Sequence, residues 1–99
     1  MSPELVKILE QMGLYETMTQ EDLASRFSHS DGVVVRYGIY VLVAARYHTT
    51  NGDRFFGVVY KAQDGESTRI TSPNVRTEAS EFLLKDEGHA IEWCIKYCK

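Results

Sequence analysis

The chain carries three histidines and two cysteines, the residue types most often found in nucleophilic and metal sites. His29 is expected in a turn, His48 at the end of a strand, and His89, Cys94 and Cys98 on a C-terminal helix. No serine, cysteine or carboxylate stands at a spacing that would force it to converge on a histidine. A zinc ion needs four convergent ligands, and only the two cysteines can be proposed, so buried thiols are the commoner interpretation. The sequence therefore predicts no catalytic residue, no metal site and no cofactor.

The cysteines and the N-terminal segment indicate in which cellular compartment the protein is expected. Cys94 and Cys98 are four residues apart on the predicted helix, where Cβ atoms are about 5–6 Å apart, whereas a disulfide needs about 3.5–4.5 Å. Both thiols are therefore expected to be reduced. The stretch MSPELVKILEQMG has an acid at position 4 and lacks the basic and apolar segments of a signal peptide. No apolar run approaches the roughly 18 residues of a membrane span, so a cytoplasmic location is expected.

Trp93 is the first candidate for binding a protein partner. The segment KDEGHAIEWCIKYCK predicts a helix capped by Asp86, with an apolar stripe made of Ile91, Cys94, Ile95 and Cys98. On a helical wheel Trp93 points away from this stripe, and His89 and Tyr97 lie one turn away on either side. Outward aromatic side chains dominate the energies of protein interfaces. We therefore expect a protein partner or a second copy of the chain at this helix; the alternative is that the segment SPNVRTEAS folds over the indole.

An acidic N-terminal part offers a second protein-binding surface. Residues 1–31 contain six acids and two bases, residues 32–63 one acid and four bases, and residues 64–99 seven acids and five bases, which gives the net charge of -3. Glu21 and Asp22 are the candidate residues on this surface, and its sign predicts a partner with a basic surface, because complementary charge speeds association. The alternative is an ordinary solvated helix face.

A basic and aromatic surface is predicted on one face of a β-hairpin. Apolar residues alternate from Val33 to His48, as one long strand or as two joined at Gly38. Asn51 and Gly52 are expected at the turn centre, which pairs Tyr47 with Phe56 and aligns the apolar residues of both strands. The opposite face carries Arg36, Tyr40, Arg46, His48, Phe55 and Lys61. Cations interleaved with rings suit nucleic-acid binding, whereas an ordinary exposed sheet face, or one partly covered by the last helix, is the alternative.

The stretch TQEDLA resembles the first helix of helix-turn-helix proteins, with Leu23, Ala24 and Phe27 at core positions. In such proteins a second helix presents polar and basic side chains to DNA. Here DGVVVRY follows, which offers one arginine and the alternation of a strand. DNA reading through this motif is therefore the least favoured of the binding hypotheses.

The order of elements predicts one α+β domain over residues 1–99. Two N-terminal helices, capped by Ser2 and Thr19, precede a three- or four-stranded antiparallel meander, and a C-terminal helix packs on one face of the sheet. The third strand is expected at STRITS and a fourth at EFLL, with SPNVRTEAS as a loop between them.

These observations favour a small acidic protein that binds a macromolecule and has no chemistry of its own. The first hypothesis is a protein-binding module, or a stoichiometric inhibitor, acting on a partner that handles nucleic acid. In size and charge alone the chain is similar to viral inhibitors such as the phage-encoded anti-CRISPR proteins. The alternatives are nucleic-acid binding by the hairpin face and a helix-turn-helix-like DNA-binding regulator.

Overall fold

Alternating apolar residues in the middle of the chain form the central strands of an antiparallel sheet. The computed structural model describes residues 2–63, 69–81 and 83–98. These residues form α1 (Pro3–Gln11), β1 (Thr17–Thr19), α2 (Gln20–Arg26), a 3₁₀ turn (His29–Asp31), β2 (Gly32–Tyr37), β3 (Tyr40–Thr49), β4 (Gly52–Ala62), β5 (Pro73–Ala79) and α3 (Glu87–Lys96). The strand order is β1-β5-β4-β3-β2. The predicted α+β fold class is confirmed, with five described strands in place of three or four.

The two N-terminal helices begin at the predicted caps. Ser2 Oγ accepts a hydrogen bond from Leu5 N–H (3.2 Å), and Thr19 Oγ1 accepts one from Asp22 N–H (3.0 Å). Both helices pack on the same face of the sheet. The core on that face includes Leu5, Leu9, Leu23, Val41, Val43, Val58 and Tyr60.

The C-terminal helix covers the opposite face of the sheet. Ala90 and Cys94 of α3 are fully buried. They pack in two clusters that include Leu42, Ala44, Phe55 and Val59. The sheet therefore has helices on both faces. None of the helices in the described part of the chain is long and apolar enough to cross a membrane.

The hairpin of β3 and β4 has a different register from the one predicted. Thr49 pairs with Gly52, so Tyr47 faces Arg54 and not Phe56. The turn is closed by the Thr49 hydroxyl, which accepts from Asn51 N–H (3.2 Å) and donates to the Gly52 carbonyl, and Gly52 supplies the positive φ of 108° after the turn. The predicted pairing is wrong by two residues. Because two is the period of a strand, every side chain of the hairpin keeps its predicted face.

The alternating stretch before the hairpin is two strands that meet at Gly38. Tyr37 pairs with Tyr40 across a tight turn in which Gly38 has a φ of 63°. Side chains directly opposite each other share a face, so Arg36, paired with Val41, lies on the face of α1 and α2. Its Nη1 donates to Gln20 Oε1 at 3.1 Å. The prediction that Arg36 shares a surface with Tyr40 is therefore wrong.

The last strand lies in the segment predicted to be a loop. β5 is Pro73–Ala79, whereas Arg69–Ser72 form a turn, and residues 67 and 68 of the predicted third strand lie outside the described residues. Two polar side chains of β5 donate to β1 and to the segment before it: Asn74 Nδ2 donates to the Met18 carbonyl (3.2 Å) and Arg76 Nη1 to the Leu14 carbonyl (2.6 Å), whereas Arg76 Nε is buried without a hydrogen-bond partner among the described residues. The predicted strand at EFLL is reduced to an isolated bridge between Leu84 and Phe55, and Phe82 lies outside the described residues.

Candidate functional site

The outer side of α3 combines apolar, aromatic and charged side chains on one surface. Asp86 Oδ1 accepts from His89 N–H (2.8 Å) and starts the helix, and the buried Ala90 and Cys94 fix its rotation on the sheet. This rotation leaves Ile95 and Tyr97 exposed by 38% and 54%. They are two of the five large apolar side chains that are exposed in the described part of the chain.

Trp93 is half-buried at the edge of this surface and does not point fully outward. An added Cβ on Gly57 of β4 would lie 2.9 Å from Trp93 Cε3, so the indole packs against a position of the strand that has no side chain. Its ring centroid is 4.5 Å from that of Tyr97, at an interplanar angle of 34°. The indole is therefore held between the sheet and Tyr97.

Trp93 separates two hollows. The larger, called here the lysine-lined hollow, has a volume of about 500 Å³ and is lined by Leu83, Leu84, Lys85, His89, Glu92, Trp93 and Lys96. The smaller one, of about 210 Å³, is lined by Glu78, Ala79, Glu81, Trp93 and Tyr97. Glu78 and Ala79, at the end of the segment SPNVRTEAS, therefore lie near the indole, but the segment does not cover the side of the indole that lines the lysine-lined hollow.

A third hollow lies across α3 from the lysine-lined one. It has a volume of about 590 Å³ and is lined by Val33, Glu87, Gly88, Ile91, Glu92, Ile95 and Lys96. Its apolar wall joins β2 to the exposed side of Ile95. The outer side of α3 is therefore flanked by concave surfaces along both edges.

The side chains of His89 and Asp86 are in contact at the start of α3. His89 Nδ1 lies 3.1 Å from Asp86 Oδ1, and both side chains are more than half exposed. The hydrogen bond from His89 N–H lowers the pKa of the Asp86 carboxyl, and the charge of His89 acts in the same direction. The imidazole is thereby oriented at the rim of the lysine-lined hollow.

The structure separates the residues predicted to bind a protein. Trp93, His89 and Tyr97 lie together on α3, whereas Glu21 and Asp22 are exposed on α2, which packs on the opposite face of the sheet. The two groups cannot contact one compact epitope.

The predicted basic and aromatic face is interrupted by α3. Phe55 is buried under the helix, with 6% exposure. Tyr40 and Lys61 pair at one end of the hairpin, whereas Arg46 and His48 lie at the other. Six residues of extended strand, about 20 Å, separate Tyr40 from Arg46. These side chains do not form a continuous platform for stacked bases.

Arg46 and His48 at the hairpin tip both lie close to the Asp53 carboxylate. His48 Nδ1 lies 2.6 Å from Asp53 Oδ1. Arg46 Nε lies 3.5 Å from Asp53 Oδ2 without hydrogen-bond geometry. A ligand that bound here would have to compete with this carboxylate.

The two cysteines are free thiols on the inner side of α3. Cys94 is fully buried, and its Sγ points to the carbonyls of Val58 (3.6 Å) and Val43 (3.9 Å). Burial raises the pKa of the Cys94 thiol to about 12, and Cys98 acts in the same direction; burial also raises the pKa of Cys98. Within the described ranges, no three His, Cys, Asp or Glu side chains are grouped so that they could hold a metal ion.

The segment that resembles a helix-turn-helix continues into the sheet. α2 is followed by the 3₁₀ turn His29–Asp31 and then by β2, so a strand occupies the place of the recognition helix. The predicted change from helix to strand at this point is confirmed.

Three residues of the α3 surface were not among the sequence-based candidates. Lys85 and Glu92 line the lysine-lined hollow, and Lys96 lies between the hollows on the two sides of α3. Lys96 stands three residues after Trp93, a helical spacing that could have indicated its proximity. Nothing in the sequence places Lys85, because its position depends on the bridge between Leu84 and β4.

Comparison with known proteins gives one informative match. No curated protein and no solved structure shows a significant match to the chain. The model of a family described as nucleotide modification associated domain 4 matches residues 14–98. The match begins at Leu14, three residues before β1, and ends at Cys98, two residues after α3; it includes the five described strands and the surface around Trp93. The chain therefore belongs to the nucleotide modification associated domain 4 family.

Proposed function

We propose that this chain is a cytoplasmic, non-catalytic binding domain that serves a nucleotide modification system by docking onto a protein partner through the outer side of α3. The observation that carries the proposal is the exposure of two large side chains at the C-terminal end of α3: Ile95 along one edge of the helix, and Tyr97, which contacts the half-buried Trp93, along the other. Exposed aromatic and aliphatic side chains beside concave surfaces are typical of the centre of a protein interface. The family description supports a role beside nucleotide-modifying enzymes.

The described side chains favour binding over catalysis. His48 is tied to Asp53 at the hairpin tip, and His89 to Asp86 at the start of α3, so the two imidazoles belong to separate sites. The Cys94 thiol is buried and has a raised pKa, which is the opposite of an activated nucleophile. The reduced thiols support a reducing compartment.

A basic surface on the partner is supported by the helices on the other face. Glu4, Glu10, Glu21 and Asp22 are exposed on α1 and α2. Their negative field draws a basic partner into the encounter, while the apolar contacts at α3 hold the complex. A partner of this kind is an enzyme that handles nucleic acid, and a domain seated on its surface regulates it in a stoichiometric complex.

Affinity capture from native host lysate tests this proposal. The tagged wild-type chain is expected to retain a nucleotide-modifying enzyme in a one-to-one complex that survives nuclease treatment and moderate salt, because apolar contacts are not screened. Ile95→Asp places a charge in the apolar surface and is expected to abolish the complex. Ile70→Asp is the matched control, since Ile70 is 55% exposed in the turn before β5. Recovery of nucleic acid alone, or equal loss in both variants, contradicts the proposal.

A further inference from the structure

We propose that the lysine-lined hollow is a nucleotide-binding site, in which the base stacks on Trp93 and the phosphate pairs with Lys85 and Lys96. This inference goes beyond docking, because it assigns a small ligand to a different side of α3. The ligand class is a purine or pyrimidine nucleotide with one phosphate, presented free or as one residue of a single strand.

The orientation of the Trp93 indole is already restrained by its neighbours in the chain without a ligand. Gly57 lies against its Cε3 edge and Tyr97 against its ring, which restrains its rotation. Tyr97 does not line the lysine-lined hollow, so the contact with Tyr97 leaves the indole as a wall of that space. Leu83 and Leu84 supply the apolar surface that bases prefer, and a preorganised ring loses little conformational entropy on binding.

Lys85 and Lys96 form the proposed phosphate subsite. Lys85 and Lys96 both line the hollow, and neither forms an ion pair with a carboxylate in the described part of the chain. Each therefore has its ammonium donors available to a phosphate oxygen. His89 lies between them in sequence and lines the same hollow, and its contact with Asp86 uses Nδ1, which leaves Nε2 for a ligand atom.

The size and polarity of the hollow suit a mononucleotide. Sites for ligands of this size enclose about 300–1,000 Å³, are largely apolar and contain a few polar groups that fix orientation. The lysine-lined hollow has about 500 Å³, two leucines, the indole and four ionisable side chains. Glu92 is an acceptor for an exocyclic amine or a sugar hydroxyl, and it is the one carboxylate among the side chains that line the hollow, beside two lysines. Asp86 lies at the rim, where it contacts His89 and also acts electrostatically with Lys85.

Intrinsic fluorescence provides a direct readout, because Trp93 is the one tryptophan of the chain. The four ribonucleoside monophosphates, the corresponding nucleosides and a short single-stranded oligonucleotide are titrated into the full chain. Saturable quenching by a nucleotide, stronger than that by its nucleoside, is the expected result. Saturation by monophosphates assigns the site to the free ligand, and saturation by the oligonucleotide alone assigns it to a strand.

Two charge reversals complete the test. Lys85→Glu is expected to weaken nucleotide binding by about tenfold or more, because a cation beside the phosphate becomes a repelling anion. Lys61→Glu is the matched control, since Lys61 is exposed on β4 at the far end of the hairpin. Absence of saturable quenching with every ligand, or loss of binding in Lys61→Glu but not in Lys85→Glu, overturns the proposal.

The nucleotide-site proposal and the docking proposal can be tested independently of each other. Ile95→Asp is expected to retain the nucleotide-dependent quenching, because Ile95 does not line the lysine-lined hollow. Lys85→Glu is expected to retain the captured enzyme. A wild-type chain that shows saturable quenching but captures no enzyme contradicts docking alone, and a wild-type chain that captures the enzyme but shows no quenching contradicts the nucleotide site alone.

Discussion

Gly57 of β4 lies directly beneath the indole of Trp93. A Cβ on Gly57 would come within 2.9 Å of Trp93 Cε3 and of the Ala90 carbonyl oxygen, and within 3.2 Å of Cys94 Sγ. Real Cβ contacts are almost never that short, and one of the two nearest atoms belongs to the helix backbone. The close approach of α3 to the sheet, and with it the position of the candidate site, therefore depends on the absence of a side chain at residue 57.

Gly57→Ala is expected to lower the free energy of unfolding by about 1–3 kcal/mol, because a methyl group must push α3 away from β4. The displaced indole should also change its emission maximum and bind nucleotide more weakly. Urea unfolding followed by tryptophan fluorescence measures both effects in one experiment. An unchanged urea midpoint together with an unchanged emission maximum would show that α3 has room for the methyl group.

Tyr60→Phe is expected to lower the free energy of unfolding by about 1–2 kcal/mol. Tyr60 is fully buried, and its hydroxyl donates a 2.6 Å hydrogen bond to the Tyr15 carbonyl, which the variant leaves without this donor. Tyr15→Phe is the matched control: the Tyr15 side chain is 45% exposed and its backbone carbonyl is retained, so a change within about 0.5 kcal/mol is expected. Equal effects of the two substitutions on the urea midpoint would show that the hydrogen bond from the Tyr60 hydroxyl does not contribute to the free energy of unfolding.

The sequence predicts those parts of the fold that are determined by local residue patterns, such as helix caps and the alternation of apolar residues in strands. Ser2, Thr19 and Asp86 are caps, and the alternation of the hairpin assigns its faces correctly even though its register is shifted. β5 is not predicted, because Pro73 and Asn74 are typical loop formers and stand at its start. The side chains of Asn74 and Arg76 donate to the carbonyls of Met18 and Leu14, which are 56 and 62 residues away in sequence, and local patterns do not reveal such distant partners.

The candidate site also contains residues whose proximity follows from local sequence and residues that only the tertiary fold brings together. Trp93, His89 and Tyr97 share a helix, so their proximity follows from helical spacing. Alternation alone predicts the wrong face for Arg36, because the turn at Gly38 pairs Tyr37 with Tyr40 and so places Arg36 opposite Val41, on the face of α1 and α2. Lys85 joins the site only through the bridge of Leu84 to Phe55, a contact between residues 29 positions apart.

A thiol reagent is expected to distinguish the two cysteines. Cys98 is partly exposed, whereas Cys94 has no exposed surface, and burial raises the pKa of both thiols. A chromogenic disulfide at pH 8 should therefore modify Cys98 slowly and Cys94 only on unfolding, since the thiolate is the reacting species. The count of reacted thiols should rise from one per chain in buffer to two in denaturing urea. Two rapid equivalents in buffer would contradict the buried position of Cys94.

Stability is expected to fall in alkaline solution because of Cys94. Its thiol has an ordinary pKa of 9.0 and a pKa of about 12 in the folded chain, so the folded state holds a proton that the unfolded state releases. This contribution is fully present below about pH 9 and is lost as the pH rises toward 12, at about 1.4 kcal/mol per pH unit. Burial raises the pKa of Tyr60 as well, which adds to the loss above about pH 10. Urea unfolding from pH 8 to 11 should give a shallower decline for Cys94→Ala than for the wild type, with Cys98→Ala as the exposed control. Parallel declines for wild type and Cys94→Ala would mean that the thiol ionises in the folded chain as readily as in the unfolded one.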